Sequence, residues 1–139
     1  MDVPKDFEDL FDDASRALLV LATMREAAEP VVAPVWFVSD ESGLLFSSDH
    51  TAAKVRDIRA RPQVGGVVMA EGDHLRYVSV RGDVVEVVDP GAEGIDVQAV
   101  YRRIVRRYEG RDPAQPFDGV LFRLVPRRTT GYDYHELSV

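Results

Sequence analysis

The chain has no cysteine among its 139 residues, which excludes disulfides, thiolate metal sites and a cysteine nucleophile. Histidine is scarce: His50, His74 and His135 lie far apart and no HExxH or EF-hand spacing occurs, so no metal site is expected. There is no GxSxG elbow, no GxxxxGK[ST] loop and no GxGxxG turn, the usual signatures of α/β hydrolases, P-loop nucleotidases and Rossmann dehydrogenases. No apolar run approaches the roughly 20 residues that span a bilayer. The opening segment, MDVPKDFEDLFDD, is acidic and polar, so no membrane association and a cytoplasmic location are expected. Positive charge is in the minority. Against 24 acidic residues stand 17 basic ones, and a net charge of −7 repels phosphate backbones and argues against nucleic acid as a partner. With no repeat or low-complexity segment, residues 1–139 are expected to form a single domain with its own core.

What the chain does contain is mostly strands. Phe7, Leu10, Phe11 and Ala14 suggest a short amphipathic helix within residues 5–14. Leu18 to Met24 reads as a buried strand, and residues 25–29 as a connection. From Val31 to Val38 nearly every residue is apolar, so both faces of that strand are expected to be covered, by core on one side and by a ligand, a subunit or a helix on the other. Pro34 within it marks a bulge or an edge. Asp40-Glu41-Ser42-Gly43 is a hairpin turn, and Leu44 to Ser48 returns antiparallel. Thr51 to Arg61 reads as a short helix with Val55 and Ile58 inward and Lys54, Arg56, Arg59 and Arg61 around them, stopped by Pro62. Val64 to Ala70 and Tyr77 to Val88 are strands joined by a polar turn, with Gly82 a bulge or close-approach point.

Asp89-Pro90-Gly91 is a break, after which residues 94–109 form a helix. Val97, Val100, Tyr101, Ile104, Val105 and Tyr108 mark its apolar face, and Arg102, Arg103, Arg106 and Arg107 a face that is solvated or pairs with acidic residues at a subunit contact. Val120 to Val125 and Thr129 to Tyr134 are closing strands. Six or seven strands with short connections and few helices predict a mainly β fold, a closed β-barrel with peripheral helices.

Chemistry concentrates between Pro30 and Pro62, a β-β-α unit suited to laying a flat ring along its strands and an anionic tail at its helix. Ser47, Ser48 and Lys54 fall where the strand end meets the helix start and together offer hydroxyls, a cation and free N–H groups. The same cations also read as an ordinary solvated helix face, and Asp49, placed as the N-cap, would satisfy the helix donors itself. Trp36, the only tryptophan, serves either packing or ligand stacking. Arg81 reads either as a cross-strand partner or as a ligand contact.

The succession Leu21-Ala22-Thr23-Met24, Pro34-Val35-Trp36-Phe37, Leu44-Leu45-Phe46-Ser47-Ser48 and Lys54 to Pro62, followed by the Tyr77 to Val84 strand and Thr130 to Tyr134, resembles one family over most of the chain. That family is the split β-barrel flavin and deazaflavin oxidoreductases of the pyridoxamine 5'-phosphate oxidase-like superfamily. Within it, the chain most resembles the actinobacterial branch that uses the deazaflavin coenzyme F420. The resemblance implies an FMN-binding split barrel that forms a homodimer with cofactor sites at the subunit interface. It places Pro34, Val35 and Trp36 along the ring, Ser47, Ser48 and the helix residues Lys54, Val55 and Arg56 at the phosphate, and Tyr77 as a contribution from the partner subunit. The implied activity is hydride transfer to a small planar substrate. The cofactor carries the chemistry, so no catalytic residue is assigned. Coenzyme F420 is expected, with FMN as the alternative, because Lys54, Arg56 and Arg59 form a basic rim suited to its anionic tail. One departure stands out: the family commonly has arginine just before the lysine, where this chain has Ala52 and Ala53. The alternatives are a non-catalytic carrier of flavin, haem or another tetrapyrrole, and a vestigial barrel serving as an interaction protein.

Overall fold

The computed structural model describes residues 1–88 and 95–135, so the break expected at Asp89-Pro90-Gly91 lies outside the described residues. The strands are β1 (Leu18–Arg25), β2 (Glu29–Val35), β3 (Val38–Asp40), β4 (Gly43–Ser48), β5 (Gln63–Ala70), β6 (Asp73–Val87) and β7 (Val120–Asp133). The helices are α1 (Ala53–Ala60), between β4 and β5, and α2 (Val97–Glu109), between β6 and β7. All pairings are antiparallel, in one seven-stranded sheet of order β2-β1-β5-β6-β7-β4-β3.

That order forces a shape. β2 and β3 are the two edges of the sheet, yet only Trp36 and Phe37 separate them in the chain. In a flat sheet six spacings of about 4.8 Å would hold the edges about 29 Å apart. The link from Val35 to Val38 reaches at most about 11 Å, so the sheet must roll up. The barrel that results is split: β2 and β3 are joined by the chain, with no ladder between them. Two expectations are corrected here. The barrel is not closed by hydrogen bonds, and the apolar run 31–38 is two strands rather than one, broken at Trp36-Phe37.

Alternation along β1 sends Leu19, Leu21 and Thr23 inward, onto a core that includes Phe37, Phe46 and Phe122. The outer side of β2 is not covered within the chain, since Val32 is 61% exposed and Pro34 is exposed as well. Pro34 sits on an edge strand, as a residue without an N–H should. Residues 5–14 hold one short 3-10 turn, Glu8–Phe11, with Leu10 and Phe11 buried and Ala14 exposed. The two expected closing strands are one, β7, paired with β6 through a register shift at Arg81/Gly82. Gly82 is a close-approach point, because a Cβ there would stand 2.2 Å from the Val125 carbonyl oxygen.

Helix α2 starts at Asp96, whose side chain accepts from the Ala99 N–H, and ends at Gly110 with φ 72°. Val97 and Ile104 pack on Val38, Leu45 and Leu121. Its arginine face is not simply solvated: Arg103 pairs with Asp13 and Arg106 with Asp112. Arg107, placed on that face by its spacing, is buried. Its guanidinium donates to the carbonyls of Leu10 (2.9 Å), Ser15 (2.8 Å) and Phe37 (2.7 Å) and lies 4.4 Å over the Phe37 ring. One planar fork thus ties the N-terminal segment to the link between the two sheet edges.

Replacing Arg107 by Ala strips the carbonyls of Leu10, Ser15 and Phe37 of their charged donor, with only the Ser15 and Tyr108 hydroxyls left near two of them, and urea unfolding should register a loss of about 3 kcal/mol or more. Lysine should recover only part of it, because an ammonium cannot match the fork. An Arg107→Lys protein as stable as the parent would contradict this account.

Candidate functional site

A hollow of 730 Å³ lies between the end of β4, the start of α1 and the segment 110–118 that follows α2. Trp36, Ser47, Ser48 and Lys54 line one side, and Tyr101 and Phe117 the other. Trp36 reaches it because the β2–β3 link turns the indole outward, leaving it 40% exposed. Tyr108 holds it there, stacked at 5.1 Å with planes 6° apart. The Tyr108 hydroxyl in turn donates to the Ala17 carbonyl (2.5 Å) and accepts from the Phe37 N–H (3.3 Å). Burial raises the pKa of this phenol, which keeps it neutral and able to donate. The opposite wall is fixed by the Gln98 amide, bonded to both the N–H (2.9 Å) and the carbonyl (3.0 Å) of Phe117, whose ring stacks on Tyr101 at 4.6 Å. Sequence reasoning missed this wall. Tyr101 was legible as an apolar helix position, but nothing in the spacing paired it with Phe117.

Lys54 is half-buried and has no hydrogen-bond or ion-pair partner among the described residues. Burial pushes its pKa down, partly opposed by the nearby Asp49 carboxylate. A desolvated cation without an acceptor favours an anion beside it. Asp49 does not cap α1 as expected. The N-cap is Ala52, with no side-chain bond, so the helix start offers its N–H groups unblocked by a side chain.

The remaining expected site residues fall elsewhere. Val35 is buried and lines a second, narrower cavity that shares Lys54 with the first. Pro34 faces out from the edge strand. Val55 is 2% exposed and sits in the core, anchoring α1. Arg56 lines shallow hollows on the outer side of α1, and Arg59 is engaged by both carboxylate oxygens of Glu86 (2.7 and 3.1 Å). The expected open basic rim is therefore not one rim: of Lys54, Arg56 and Arg59 only Lys54 lines the large cavity, where Arg111 is the other cation and Asp49, Glu109, Asp112 and Asp118 are the acids. Tyr77 lies outside that cavity, stacked on Tyr132 at 5.0 Å with Tyr134 alongside. Arg81 is exposed and stands across from Arg128 in the neighbouring strand.

A family model described as pyridoxamine 5'-phosphate oxidase matches residues 7–132, and the chain belongs to that family. Among solved structures, one described as an F420 reductase is 31% identical, covering 92% of this chain and 98% of its own, with a TM-score of 0.74. The conserved hypothetical protein Rv2991 from Mycobacterium tuberculosis (22% identity, 99% and 89% coverage, TM-score 0.75) shares the fold. So does HutZ, the haem storage protein of Vibrio cholerae (21%, 95% and 96%, TM-score 0.71). No curated protein matches the chain. Family and F420 reductase likeness together support a flavin-binding, oxidoreductase type of function. No helix among the described residues is long and apolar enough to cross a membrane.

Because Trp36 is the sole tryptophan, its fluorescence reports its support directly. Tyr108→Leu should shift the emission to longer wavelength and lower its anisotropy, whereas Tyr108→Phe, which keeps the stack, should change both much less. An unaltered spectrum in the Leu variant would mean that Tyr108 does not hold the indole.

Proposed function

We propose that this chain is an oxidoreductase that binds a deazaflavin of the F420 type in the 730 Å³ cavity, with FMN as the alternative, and acts on a small planar substrate as a homodimer. The observation that carries the reading is Lys54, a half-buried ammonium without an acceptor, beside Ser47, Ser48 and an uncapped helix start. These donors fit a phosphate. A bound deazaflavin would supply hydride-transfer chemistry, which no side chain here can provide. The chain's own part is to position and to exclude water. Ser47, Ser48 and Lys54 hold the anionic end, and the indole of Trp36, already fixed by Tyr108, offers its free side to a planar group without reorganising.

The deazaflavin is favoured over FMN by the 31% identity to an F420 reductase along nearly the whole of both chains, not by a basic rim. With Ala52 and Ala53 ahead of it, Lys54 is the cation that the start of α1 brings to the cavity. The homodimer is inferred from the outer side of the edge strand β2, where Val32 and Pro34, with Trp36 just beyond the strand, present exposed apolar side chains. Tyr77 would then reach a cavity from the partner subunit rather than its own.

Lys54→Ala should weaken deazaflavin binding about tenfold or more in calorimetric titration, while the unfolding midpoint stays within error. An unchanged dissociation constant would place the phosphate elsewhere. In side-by-side titrations the deazaflavin should bind more tightly than FMN, and the reverse order would move the assignment to a flavin enzyme. Sedimentation at micromolar concentration should give a dimer, and a stable species at the 15.5 kDa of one chain would contradict that part of the reading.

A further inference from the structure

Gln98, Tyr101, Val105 and Tyr108 recur at helical spacing and form one stripe along α2. Two of them each carry a stacked ring: Tyr108 holds Trp36 at 5.1 Å, and Tyr101 holds Phe117 at 4.6 Å. Val105, between the two stacks, lines the 730 Å³ cavity. Seven residues of helix rise about 10.5 Å, so the two tyrosines stand about that far apart along the axis. The same length is three carbon–carbon contacts of about 3.5 Å, the gaps that two flat groups make when they fill the space between two aromatic walls.

The Phe117 wall is fastened by more than its stack. The Gln98 amide donates to the Phe117 carbonyl (3.0 Å) and accepts from its N–H (2.9 Å). Asp118 meets His50 at 3.3 Å, and at Gly119 a Cβ would stand 2.6 Å from the Ser48 carbonyl oxygen, so the chain is drawn against the end of β4. Three consecutive residues are thus tied to α2, to the approach to α1 and to β4. The ions beside this wall are paired with one another, Arg111 with Glu109 (3.2 Å) and Asp112 with Arg106, so the surface it leaves for a guest is aromatic.

We infer that this cavity is a slot for two flat groups stacked face to face, that Phe117 on Tyr101 is its substrate-side wall, and that Gln98 is the positioning residue of that wall. The naming of the two places rests on the deazaflavin reading: the cofactor ring lies on Trp36, and the substrate lies between that ring and Phe117. Volume sets the substrate's size. An apolar cavity of about 150 Å³ takes one benzene, so 730 Å³ holds about four to five rings, three for a tricyclic deazaflavin head and the remainder for a substrate of one or two fused aromatic rings. A puckered, saturated ring is thicker than the gap left for it and stacks poorly on Phe117.

The test starts with the full chain free of cofactor, titrated by NMR and calorimetry with 2-naphthamide and with its saturated decahydro analogue. Two molecules of 2-naphthamide should bind per chain, one shifting the Trp36 indole and the other the Phe117 and Tyr101 rings, each about fivefold or more tighter than the analogue. Gln98→Met keeps the side chain's length and loses both amide bonds. It should weaken the Phe117 site about fivefold or more and leave the Trp36 site unchanged, a split that general loosening of the fold would not give. Gln98→Glu, which keeps the acceptor for the Phe117 N–H, should recover part of the loss. Should Gln98→Met not fold, Phe117→Leu, which removes the ring and keeps apolar bulk, takes its place. With saturating deazaflavin the Trp36 site should close and the Phe117 site remain. Failure of the deazaflavin to bind would count against that reading alone, because the slot is decided in the cofactor-free chain. A single site with no shift at Phe117, equal binding of the saturated analogue, both sites weakened alike or neither weakened in Gln98→Met, or a deazaflavin that closes the Phe117 site as well would each overturn the proposal.

Discussion

A link of two residues between opposite edges of a seven-stranded sheet is the constraint from which the rest follows. Trp36 and Phe37 must bring β2 and β3 together, and the sheet can obey only by rolling into a split barrel. Such a link leaves ladder positions, so its backbone needs partners of another kind. Arg107 and Tyr108 supply them: the Phe37 carbonyl takes the guanidinium and its N–H meets the phenol oxygen. Phe37 then points into the core and Trp36 out of it. The candidate site is thus a by-product of closing the barrel, since the residue that cannot fit inside becomes the aromatic wall of the large cavity.

Charge use sharpens the site. In a chain with an excess of carboxylates, cations find partners readily, as Arg59 does at Glu86, Arg76 at Asp9 and Arg127 at Asp83. Cations with no partner, such as Arg56 and Arg102, lie on the surface, where water serves them. Lys54 is half-buried and still has no partner. The same helix turn carries Asp57, charge-balanced by Arg25 and Arg61. Two cavities therefore meet along α1 and share Lys54.

Most of the strands were legible because their signals are local: the apolar run of β1, the Asp40 to Gly43 turn, the glycine at the β6 bulge. The Ser47, Ser48 and Lys54 grouping was legible for the same reason, since strand end and helix start are adjacent in the chain. What depends on distant partners was not. Arg107 matches its three arginine neighbours in spacing, and only the carbonyls of Leu10, Ser15 and Phe37, which lie 70 or more residues away in sequence, make it a core residue. Asp49 has a capping residue's chemistry, yet the helix begins four residues later, with its cap at Ala52. Val55 and Arg56 share a motif with Lys54, but helical rotation turns one into the core and the other outward.

The central claim is that the β2–β3 link, the end of β4 and the start of α1 together form one cofactor site. Hydrogen–deuterium exchange of the chain with and without saturating deazaflavin tests it most directly. The account predicts slowed exchange at residues 36–37, 47–48 and 52–55 and little change along the β5–β6 hairpin away from any subunit contact. Binding that leaves those three segments unprotected would contradict it.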